Sequence, residues 1–430
     1  MSCYDAIIIG GGLTGLATAY YLSGQGKKIC LIEKKSELGG LLECYHLGDY
    51  SIEKYYHHIL PGDVELLRLM EALGLGGDVQ WRPSLVGYWM NEKAYPLNTP
   101  IDIMRFPFLS MGDKWKLSQL VNKCRGSKSF STLDSISARD WVIENAGESV
   151  YQNFFFPLLR GKFGDNEAVI SAAWLQERVR IRSNRSVFRG EKLAYPTGSF
   201  SILLEALQSV LKSRKVDIIL NTSVTEILST EYSFKGVNTE TDTIEAPIGI
   251  YTGNPQGLAT IGNELLNDTF LSDLQRIPYQ HTLCLLLGFD KPITSSYWLN
   301  IGDKSLPFSL LVEHTNFVKK GYGDDHLVYL ASYYQNQDNA DFIEDDSVIF
   351  HKWYKVLESI YSLSHDSLRW WKLSKSSHTS PIYRIGYLEN LKSDFSTPMN
   401  GLYQMGMSKS YPERSLNDAV KQARKMSDCL

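Results

Sequence analysis

The chain has 430 residues, of which 43% are hydrophobic and 21% charged, a composition typical of globular rather than disordered proteins. Its formal net charge is −4, without a basic block, which excludes a typical nucleic-acid-binding protein. No apolar run reaches the roughly 18 residues of a membrane-spanning helix. A chain of this length exceeds one ordinary core, so we expect two lobes.

The first forty residues predict a strand, a glycine-rich turn, a helix and a second strand in succession. The apolar run at residues 6–9 is typical of a strand, residues 10–15 contain the spacing G-x-G-x-x-G, and residues 16–22 favour a helix. Residues 28–32 form the second predicted strand, which ends on Glu33. This order is typical of a dinucleotide-binding βαβ unit.

Each part of this unit has a physical role toward a dinucleotide. Gly10 permits the tight turn, Gly12 lets the backbone approach a pyrophosphate, and Gly15 lets the helix lie close to the strand. The helix N-terminus directs free N–H groups and about half a positive charge at the phosphates. Glu33 can accept both hydroxyls of an adenosine ribose. We therefore predict a bound dinucleotide.

A glycine pair, Gly39 and Gly40, follows soon after Glu33. Taken alone, the pair is also compatible with an ordinary loop. An acid at a strand end followed by such a pair resembles the FAD-dependent flavoprotein superfamily of amine oxidases, protoporphyrinogen oxidase and phytoene desaturases, near the UDP-galactopyranose mutase branch. The resemblance implies that the pair lets the chain pass close to FAD. The resemblance also assigns to the predicted FAD site four residues next to the glycine turn, Glu33 and the glycine pair: Leu13, Thr14, Lys34 and Leu41.

The next candidate segment contains Tyr55, His57 and His58. It resembles the histidine loop that faces the flavin ring in protoporphyrinogen oxidase and the mutase. His58 is the better aligned histidine, so we assign it to the FAD site as well. A histidine there can act as a base or polarise the flavin, because its pKa lies near the working pH. In an extended segment, two adjacent histidines cannot both face the cofactor.

Residues 81–125 are rich in Trp, Tyr, Phe, Met and Pro. As in relatives with lipidic substrates, this stretch is compatible with peripheral docking on a membrane surface. Its apolar and aromatic residues outnumber its basic ones, which favours the alternative that it walls the substrate cavity.

Residues 151–164 are similar to the substrate-domain signature of the same branch of the superfamily. They contain Arg160, which can bind an anionic substrate group or a carboxylate of the fold. A basic stretch follows, which is either a solvated helix face or an anion-binding element. Its members are Arg178, Arg180, Arg182, Arg185 and Arg189.

The middle of the chain resembles a further part of the family's FAD site. A glycine loop at residues 194–200 precedes an amphipathic helix over residues 203–211 and predicted strands at residues 216–220 and 221–227. The resemblance implies that the backbone of Val224 hydrogen-bonds the adenine.

The C-terminal segment resembles the last cofactor motif of the family. A strand predicted at residues 401–407 ends in Gly406 and Met407, and a helix begins at Leu416 and Asn417. In relatives, this strand end and helix N-terminus lie along the ribityl chain and pyrimidine ring of the flavin. Met407 stands where the family has an acid, so the detailed contact at this position departs from the family's.

The resemblance implies an α/β fold, α+β overall, in which a Rossmann-type FAD-binding domain is interleaved with a substrate domain. Because the cofactor motifs are spread along the chain, we expect both domains to be discontinuous. The FAD-binding domain is predicted at residues 1–80, 191–255 and 396–430. The substrate-binding domain is predicted at residues 81–190 and 256–395.

These features together predict an FAD-dependent oxidoreductase that transfers hydride from an organic small molecule to flavin N5. Glycan, lipid-linked sugar, isoprenoid and porphyrin metabolism are all compatible with this architecture. The scattered cysteines, none of them beside Gly406, predict non-covalent FAD, reduced thiols, no metal site and a cytoplasmic location. Nothing in the sequence indicates an oligomeric state. The predicted catalytic residues are Tyr55, His57, His58 and Arg160.

Two alternatives stay open. One is a non-redox mutase of the UDP-galactopyranose mutase type, because residues 306–317 resemble the mutase segment that carries a diphosphate-binding arginine. Ser309 and Leu310 stand where that arginine is expected, which counts against a mutase since charge-assisted arginine contacts are strong. The other is a flavin-binding protein without catalysis, against which the many aromatic residues outside the FAD motifs favour a substrate cavity.

Overall fold

The computed structural model describes residues 4–126, 130–183, 190–231, 233–262, 266–336, 338–391, 394–412 and 414–430. The strands in these ranges are β1 Ala6–Ile9, β2 Ile29–Ile32, β3 Cys44–Leu47, β4 Tyr50–Glu53, β5 Val79–Pro83, β6 Val86–Met90, β7 Lys93–Pro96, β8 Lys192–Pro196, β9 Asp217–Ile219, β10 Val224–Thr230, β11 Ser233–Thr239, β12 Thr243–Glu245, β13 Gly249–Tyr251, β14 Tyr279–Phe289, β15 Trp298–Ile301, β16 Leu310–Glu313, β17 His326–Tyr334, β18 Leu368–Pro381 and β19 Leu402–Gln404.

The α-helices in the same ranges are α1 Leu13–Gly24, α2 Val64–Ala72, α3 Pro100–Arg105, α4 Met111–Gly126, α5 Ala138–Ala146, α6 Glu148–Val150, α7 Phe156–Phe163, α8 Ala172–Arg182, α9 Ser201–Ser213, α10 Pro255–Ile261, α11 Asp268–Arg276, α12 Ala340–Ile343, α13 Asp346–Tyr361 and α14 Leu416–Cys429. A π-helical turn, Tyr151–Phe155, joins α6 to α7. Short 3-10 helices lie at Gly40–Leu42, Gly76–Asp78, Ser131–Leu133, Gly164–Val169, His314–Asn316, His365–Ser367, Tyr387–Asn390 and Met407–Lys409.

A five-stranded parallel sheet in the order β19-β13-β1-β2-β9 carries the N-terminal motif. Ile7 of β1 pairs with Cys30 of β2 on one side and with Gly249 of β13 on the other. Every residue of β1 and β2 is buried, which explains their uninterrupted apolar runs, because strands of a parallel sheet are covered on both faces. The predicted Rossmann-type strand-helix-strand unit is thereby confirmed, with α1 longer than predicted.

The two faces of the parallel sheet are covered by different elements. Ile8 packs into a core with Leu16 of α1 and Leu207 of α9. Its neighbour Ile7 packs into a second core with Phe234 of β11, because successive strand side chains point to opposite faces. The three-stranded antiparallel sheet β10-β11-β12 lies on that second side, so the parallel sheet forms the middle layer of this part of the molecule.

A seven-stranded sheet forms the other large layer, in the order β18-β14-β17-β16-β15-β6-β7. All eleven residues of its long strand β14 are buried. Leu285 packs with Trp353 of α13 on one face, whereas Leu286 belongs to the core that contains α1 and α9. The two sheets therefore share one core, which fixes their relative position.

Helices α4, α5, α7 and α8 surround a further apolar cluster that includes Tyr88, Phe106, Trp141 and Leu159. None of the helices in the described ranges combines the length and apolarity needed to cross a bilayer. Every strand of the parallel and three-stranded sheets lies within residues 1–80, 191–255 and 396–430. Every strand of the seven-stranded sheet lies within residues 81–190 and 256–395. The domain boundaries themselves stay a prediction.

Candidate active site

Four strands of the parallel sheet end at one edge, and the segments that follow them line a single cavity of about 780 Å³. The glycine turn follows β1, Glu33 follows β2, Thr252 follows β13, and Gly406 follows β19. Because the carboxyl ends of parallel strands meet at the same edge of a sheet, residues from the two ends of the chain line one site.

The glycine turn and the glycine pair approach each other closely at this edge. The N–H of Gly39 donates a hydrogen bond to the carbonyl of Gly11 over 2.9 Å. A Cβ on Gly40 would lie 3.2 Å from the Cα of Gly12. A Cβ on Gly12 would meet only the Cα of Gly40, at 3.9 Å, so the space beside Gly12 is open. Gly12 thus offers room for a ligand to approach the backbone.

Gly15 has a different role from Gly12. A Cβ on Gly15 would lie 1.9 Å from the carbonyl oxygen of Gly10, so only glycine lets α1 pack this close to the turn. Gly10 has a φ of +112°, and the Thr252 hydroxyl donates to its carbonyl over 3.1 Å. Gly15 therefore shapes the turn without lining the cavity.

Helix α1 begins at Leu13 with Gly12 as its N-cap, and no side chain caps its first turn. Leu13 and Thr14 both line the cavity. An uncapped helix N-terminus presents N–H groups and partial positive charge, which suits a phosphate. The open space at Gly12 and this helix end together fit the pyrophosphate of a dinucleotide.

Glu33 lies beside the same turn. Its carboxylate accepts hydrogen bonds from the N–H of Gly11 over 2.6 Å and from the N–H of Lys35 over 2.9 Å. An ionised carboxylate has about four acceptor positions, so capacity for two ribose hydroxyls is left. The loop that holds Glu33 therefore orients the carboxylate toward the cavity, as a ribose-binding acid requires.

The C-terminal part of the cavity is built around Gly406. Gln422 of α14 accepts from the N–H of Gly406 over 2.9 Å and donates to its carbonyl over 3.2 Å. Gly406 has a φ of +105°, a conformation that favours glycine. Gly406, Met407 and Leu416 all line the cavity.

His57 and His58 both line the cavity. Strand β4 ends at Glu53, and both histidines lie in the segment that follows it. Whether both can face the cofactor, which an extended segment would not allow, stays a prediction. Nδ1 of His57 lies 2.7 Å from the carbonyl oxygen of Tyr55, so Nδ1 carries the proton and Nε2 keeps its lone pair. Burial lowers the pKa of His57 to about 4, so its ring is neutral at neutral pH.

His58 is engaged at both ring nitrogens. Its Nδ1 lies 3.2 Å from the Tyr297 hydroxyl, and its Nε2 lies 3.3 Å from a guanidinium nitrogen of Arg182. A guanidinium can only donate, so Nε2 of His58 is the acceptor and Nδ1 carries the proton. Burial first, and Arg182 second, hold the pKa of His58 well below its usual value.

Aromatic and basic side chains form the wall next to these histidines. The Tyr56 ring meets Trp298 edge to face at 5.1 Å, and Trp298 meets His58 at 5.7 Å. The Tyr56 hydroxyl also hydrogen-bonds to Tyr333. Such rings exclude water and strengthen electrostatic interactions inside the cavity. The basic and further aromatic residues of this wall are Lys162, Trp174, Arg178, Arg182 and Arg414.

The structure brings most of the predicted site residues into this cavity. Those in its lining are Gly10, Gly12, Leu13, Thr14, Glu33, Lys34, Gly39, Gly40, Leu41, Tyr55, His57, His58, Gly406, Met407 and Leu416. Those outside its lining are Gly15, Arg160, Val224 and Asn417. Arg185 and Arg189 lie outside the described residues.

Three of the residues outside the lining have other contacts. Arg160 is partly exposed and forms an ion pair with Asp165, which matches the alternative that it binds a carboxylate of the fold. Val224 pairs with Thr239 at the start of β10. The side-chain oxygen of Asn417 accepts from backbone N–H groups in the first turn of α2, so Asn417 caps that helix.

The cavity lining bears on two further expectations. No residue of the stretch 81–125, all of which is described, lines the cavity, so the expectation that this stretch walls it is wrong. Tyr88, Phe106 and Phe108 pack in the helical cluster instead, whereas Met111 and Trp115 are exposed. Ser309 and Leu310 do not line the cavity either.

Sequence reasoning missed several parts of the lining, among them two continuous segments. Thr252, Gly253 and Asn254 follow β13 at the carboxyl edge of the parallel sheet, and a short apolar strand before Thr-Gly-Asn was the available signal. Residues 374–378 of β18 also face the cavity. They carry no local signal, because they reach the site through the seven-stranded sheet.

Among the described residues, the cavity lining contains no cysteine and no cluster of potential metal ligands. The described cysteines are free, and all but Cys429 are buried. None of them lines the cavity. Across the described ranges, no group of three or more His, Cys, Asp or Glu side chains could hold a metal ion.

Comparison with known proteins agrees with this geometry. A family model described as flavin containing amine oxidoreductase matches residues 13–430. Coproporphyrinogen III oxidase of Staphylococcus aureus (strain NCTC 8325 / PS 47) is 26% identical over 269 residues, which cover 53% of this chain and 56% of that protein. The same enzyme of Bacillus subtilis (strain 168) is 27% identical over 213 residues, covering 45% and 44%. The chain thus spans about half the length of the curated relatives it matches.

Solved structures share the fold over the full chain. A protein of Exiguobacterium sp. 255-15, provisionally described as a protoporphyrinogen oxidase, superposes with a TM-score of 0.80 at 19% identity, covering 100% of this chain and 99% of that chain. Reduced UDP-galactopyranose mutase superposes with a TM-score of 0.77 at 16% identity, covering 99% and 95%. At these identities, the likeness shows the fold and does not choose between chemistries.

Proposed function

This chain belongs to the family of flavin-containing amine oxidoreductases, and from that premise we propose that it is an FAD-dependent oxidoreductase acting on an organic small molecule. One observation carries the proposal. A single cavity joins the open glycine turn and Glu33 to a wall that contains His57, His58 and Trp298. A dinucleotide site and a site for a reacting group are thus continuous.

The cofactor end of the cavity supports FAD rather than a smaller flavin. The open space at Gly12 and the N-terminus of α1 fit a pyrophosphate, and Glu33 fits an adenosine ribose. Gly406 and Leu416 would lie along the flavin end. We propose non-covalent binding, because none of the described cysteines lines the cavity. A cytoplasmic location stays part of this proposal.

The reactive end has a candidate base. A bound flavin supplies the acceptor for a hydride. His57 can take a proton from the substrate at Nε2, because its Nδ1 proton is committed to the Tyr55 carbonyl and its ring is neutral at neutral pH. Burial lowers its pKa to about 4, so His57 is a weak base and lacks the near-neutral pKa expected from the sequence. His58 is less suited to this role, since its Nε2 accepts from Arg182. Tyr55 lines the same wall, whereas Arg160 lies outside it.

The relatives described as coproporphyrinogen III oxidases make a porphyrinogen one candidate substrate. It stays a candidate and is not the assigned substrate, because this chain spans only about half the length of those relatives. Glycan, lipid-linked sugar and isoprenoid substrates are the other candidates that the architecture admits.

The proposal is tested by the cofactor content of the purified protein. We expect a yellow protein that releases one FAD per chain on heating, identified by chromatography. Gly12→Val should abolish FAD binding, because its side chain would fill the open space beside Gly12 while meeting only Gly40 of the protein.

Gly77→Val is the matched control, since a Cβ added to Gly77 would have no atom within 4 Å and this residue does not line the cavity. That variant should keep its FAD. A colourless wild-type protein that cannot be reconstituted with FAD would rule out the proposed function.

A further inference from the structure

We propose that Arg178 and Arg182 of helix α8 form a subsite for an anionic group of the substrate, a carboxylate or a phosphate. This inference rests on the proposed function, because it assigns a substrate class to the same cavity. The substrate would be an organic anion whose apolar part lies against tryptophan rings and whose charged group meets the two arginines.

The two arginines share one face of α8. They are four residues apart on a helix that spans Ala172–Arg182, a spacing that places side chains about one turn apart on the same side. Both line the cavity. Arg180, between them in sequence, does not line it and bonds to Glu177 instead.

Arg182 is held in position by its neighbours. One guanidinium nitrogen lies 3.0 Å from a carboxylate oxygen of Glu191, and another lies 3.3 Å from Nε2 of His58. Its guanidinium carbon lies 5.9 Å from the centre of the Trp298 ring. A planar guanidinium fixed in this way is suited to bidentate recognition of a carboxylate or phosphate. Contact with His58 places it next to the proposed base, His57.

Arg178 has a similar setting on the same wall. Its guanidinium carbon lies 5.9 Å from the centre of the Trp174 ring, and Trp174 also lines the cavity. Each arginine therefore packs on a tryptophan, Trp174 or Trp298, that is itself exposed to the cavity. This pairing offers a flat apolar surface and a positive charge side by side.

The charge of the lining favours an anion. Among the described residues, eight lysine and arginine side chains and three acidic side chains line the cavity. The acidic ones are Glu33, Glu43 and Asp63, and Glu43 already forms ion pairs with Lys35 and Lys54. All three belong to the N-terminal part of the chain. Glu191, which pairs with Arg182, lies outside the lining, so the charged side chains that face the cavity around α8 are basic. Walls of low dielectric focus such a field on the cavity.

The test uses FAD-loaded protein and two probes with the same ring, benzoate and phenyl phosphate, with benzyl alcohol as the neutral analogue. Binding is measured by isothermal titration calorimetry and by perturbation of the flavin absorption spectrum. We expect Arg178→Gln and Arg182→Gln each to weaken binding of the preferred anion about tenfold or more. Arg180→Gln, on the same helix, should bind it as the wild type does.

The two probes separate the possible anions. Tighter binding of benzoate assigns the subsite to a carboxylate, and tighter binding of phenyl phosphate assigns it to a phosphate. The proposal is overturned if both cavity-facing variants bind both anions like the wild type, or if benzyl alcohol binds as tightly as either anion. If Arg182→Gln does not retain FAD, Arg178→Gln and Arg182→Lys decide: unchanged affinity in both overturns the subsite.

Failure of the subsite differs from failure of the proposed function. A wild-type protein that holds no FAD contradicts the oxidoreductase proposal itself. A flavin-loaded protein whose anion affinity is independent of Arg178 and Arg182 contradicts only the subsite.

Discussion

Burial controls the protonation of single residues around the site, and Glu53 is the clearest case. Its side chain is 1% exposed, and its carboxylate accepts from the Tyr195 hydroxyl and from the N–H of Phe200, each over 2.5 Å. Burial raises the pKa of Glu53 to about 7 despite these hydrogen bonds. Glu53 ties β4 to β8 and to the start of α9, next to the loop that carries His57.

Glu53→Gln should change how the stability of the protein depends on pH. Between about pH 4.5 and pH 7, the unfolded state has lost the Glu53 proton while the folded state keeps it, so the wild type loses stability as pH rises. Glutamine does not titrate, so the stability of the variant relative to the wild type should increase over this range by on the order of 2–3 kcal/mol.

Urea unfolding of both FAD-loaded proteins at pH 5 and at pH 8 measures this difference. The buried histidines contribute equally to the two proteins and cancel. If the free energy of unfolding changes by the same amount between pH 5 and pH 8 in the variant and the wild type, the raised pKa of Glu53 is contradicted.

Contacts between helices decide which residues at the start of the C-terminal helix line the cavity. Helix α14 packs against α1 and α2. Its first residue, Leu416, lines the cavity, whereas the next, Asn417, turns toward α2. The Asn417 oxygen accepts from the N–H of Glu65 over 2.7 Å and from that of Leu66 over 3.1 Å. It thereby satisfies two of the donors that a helix N-terminus leaves unpaired.

Asn417→Ala should therefore destabilise the protein without weakening FAD binding. Loss of a helix cap costs about 1 kcal/mol of unfolding free energy, measured by chemical denaturation. The dissociation constant of FAD, measured on deflavinated and reconstituted protein, should stay at the wild-type value. Asn417→Asp retains an acceptor oxygen and should be more stable than the alanine variant. Weaker FAD binding at unchanged stability would instead support the sequence-based assignment of Asn417 to the cofactor site.

At the scale of the whole molecule, two sheets share a core and enclose one cavity between their elements. The fold alone admits both a redox enzyme and a mutase, as the superposition with UDP-galactopyranose mutase shows. Ser309 and Leu310 lie outside the lining, so the side chains present there do not separate the two chemistries. Electron balance does separate them, because an oxidoreductase consumes an electron acceptor and a mutase does not.

We expect dithionite-reduced protein to form no furanose product from UDP-galactose, as measured by chromatography, and UDP-galactose to leave the spectrum of the reduced flavin unchanged. A mutase assayed in parallel provides the positive control. With its own substrate, the protein should cycle between oxidised and reduced flavin and consume oxygen or another acceptor stoichiometrically. Furanose formation only in the reduced state would replace the oxidoreductase proposal with the mutase.

The sequence by itself determined the parts of this protein whose conformation depends on residues close by in the chain. The spacing of Gly10, Gly12 and Gly15 between an apolar run and a helix specifies a turn that few other residues can adopt. Glu33 at the end of the next strand must then lie at the same sheet edge. These local rules predicted the βαβ unit and most of the cavity lining around the glycine turn.

Only the tertiary structure decided which side chains form the cavity wall around the two histidines. Arg160 and Arg182 are both helical arginines of the same region, and their sequence context does not tell which one turns toward the cavity. The packing of Arg182 against Glu191, His58 and Trp298 decides it. The cavity wall from β18 likewise depends on pairing with β14, far away in the sequence. Side-chain direction at such positions follows from long-range packing, which leaves no periodic or local pattern in the chain.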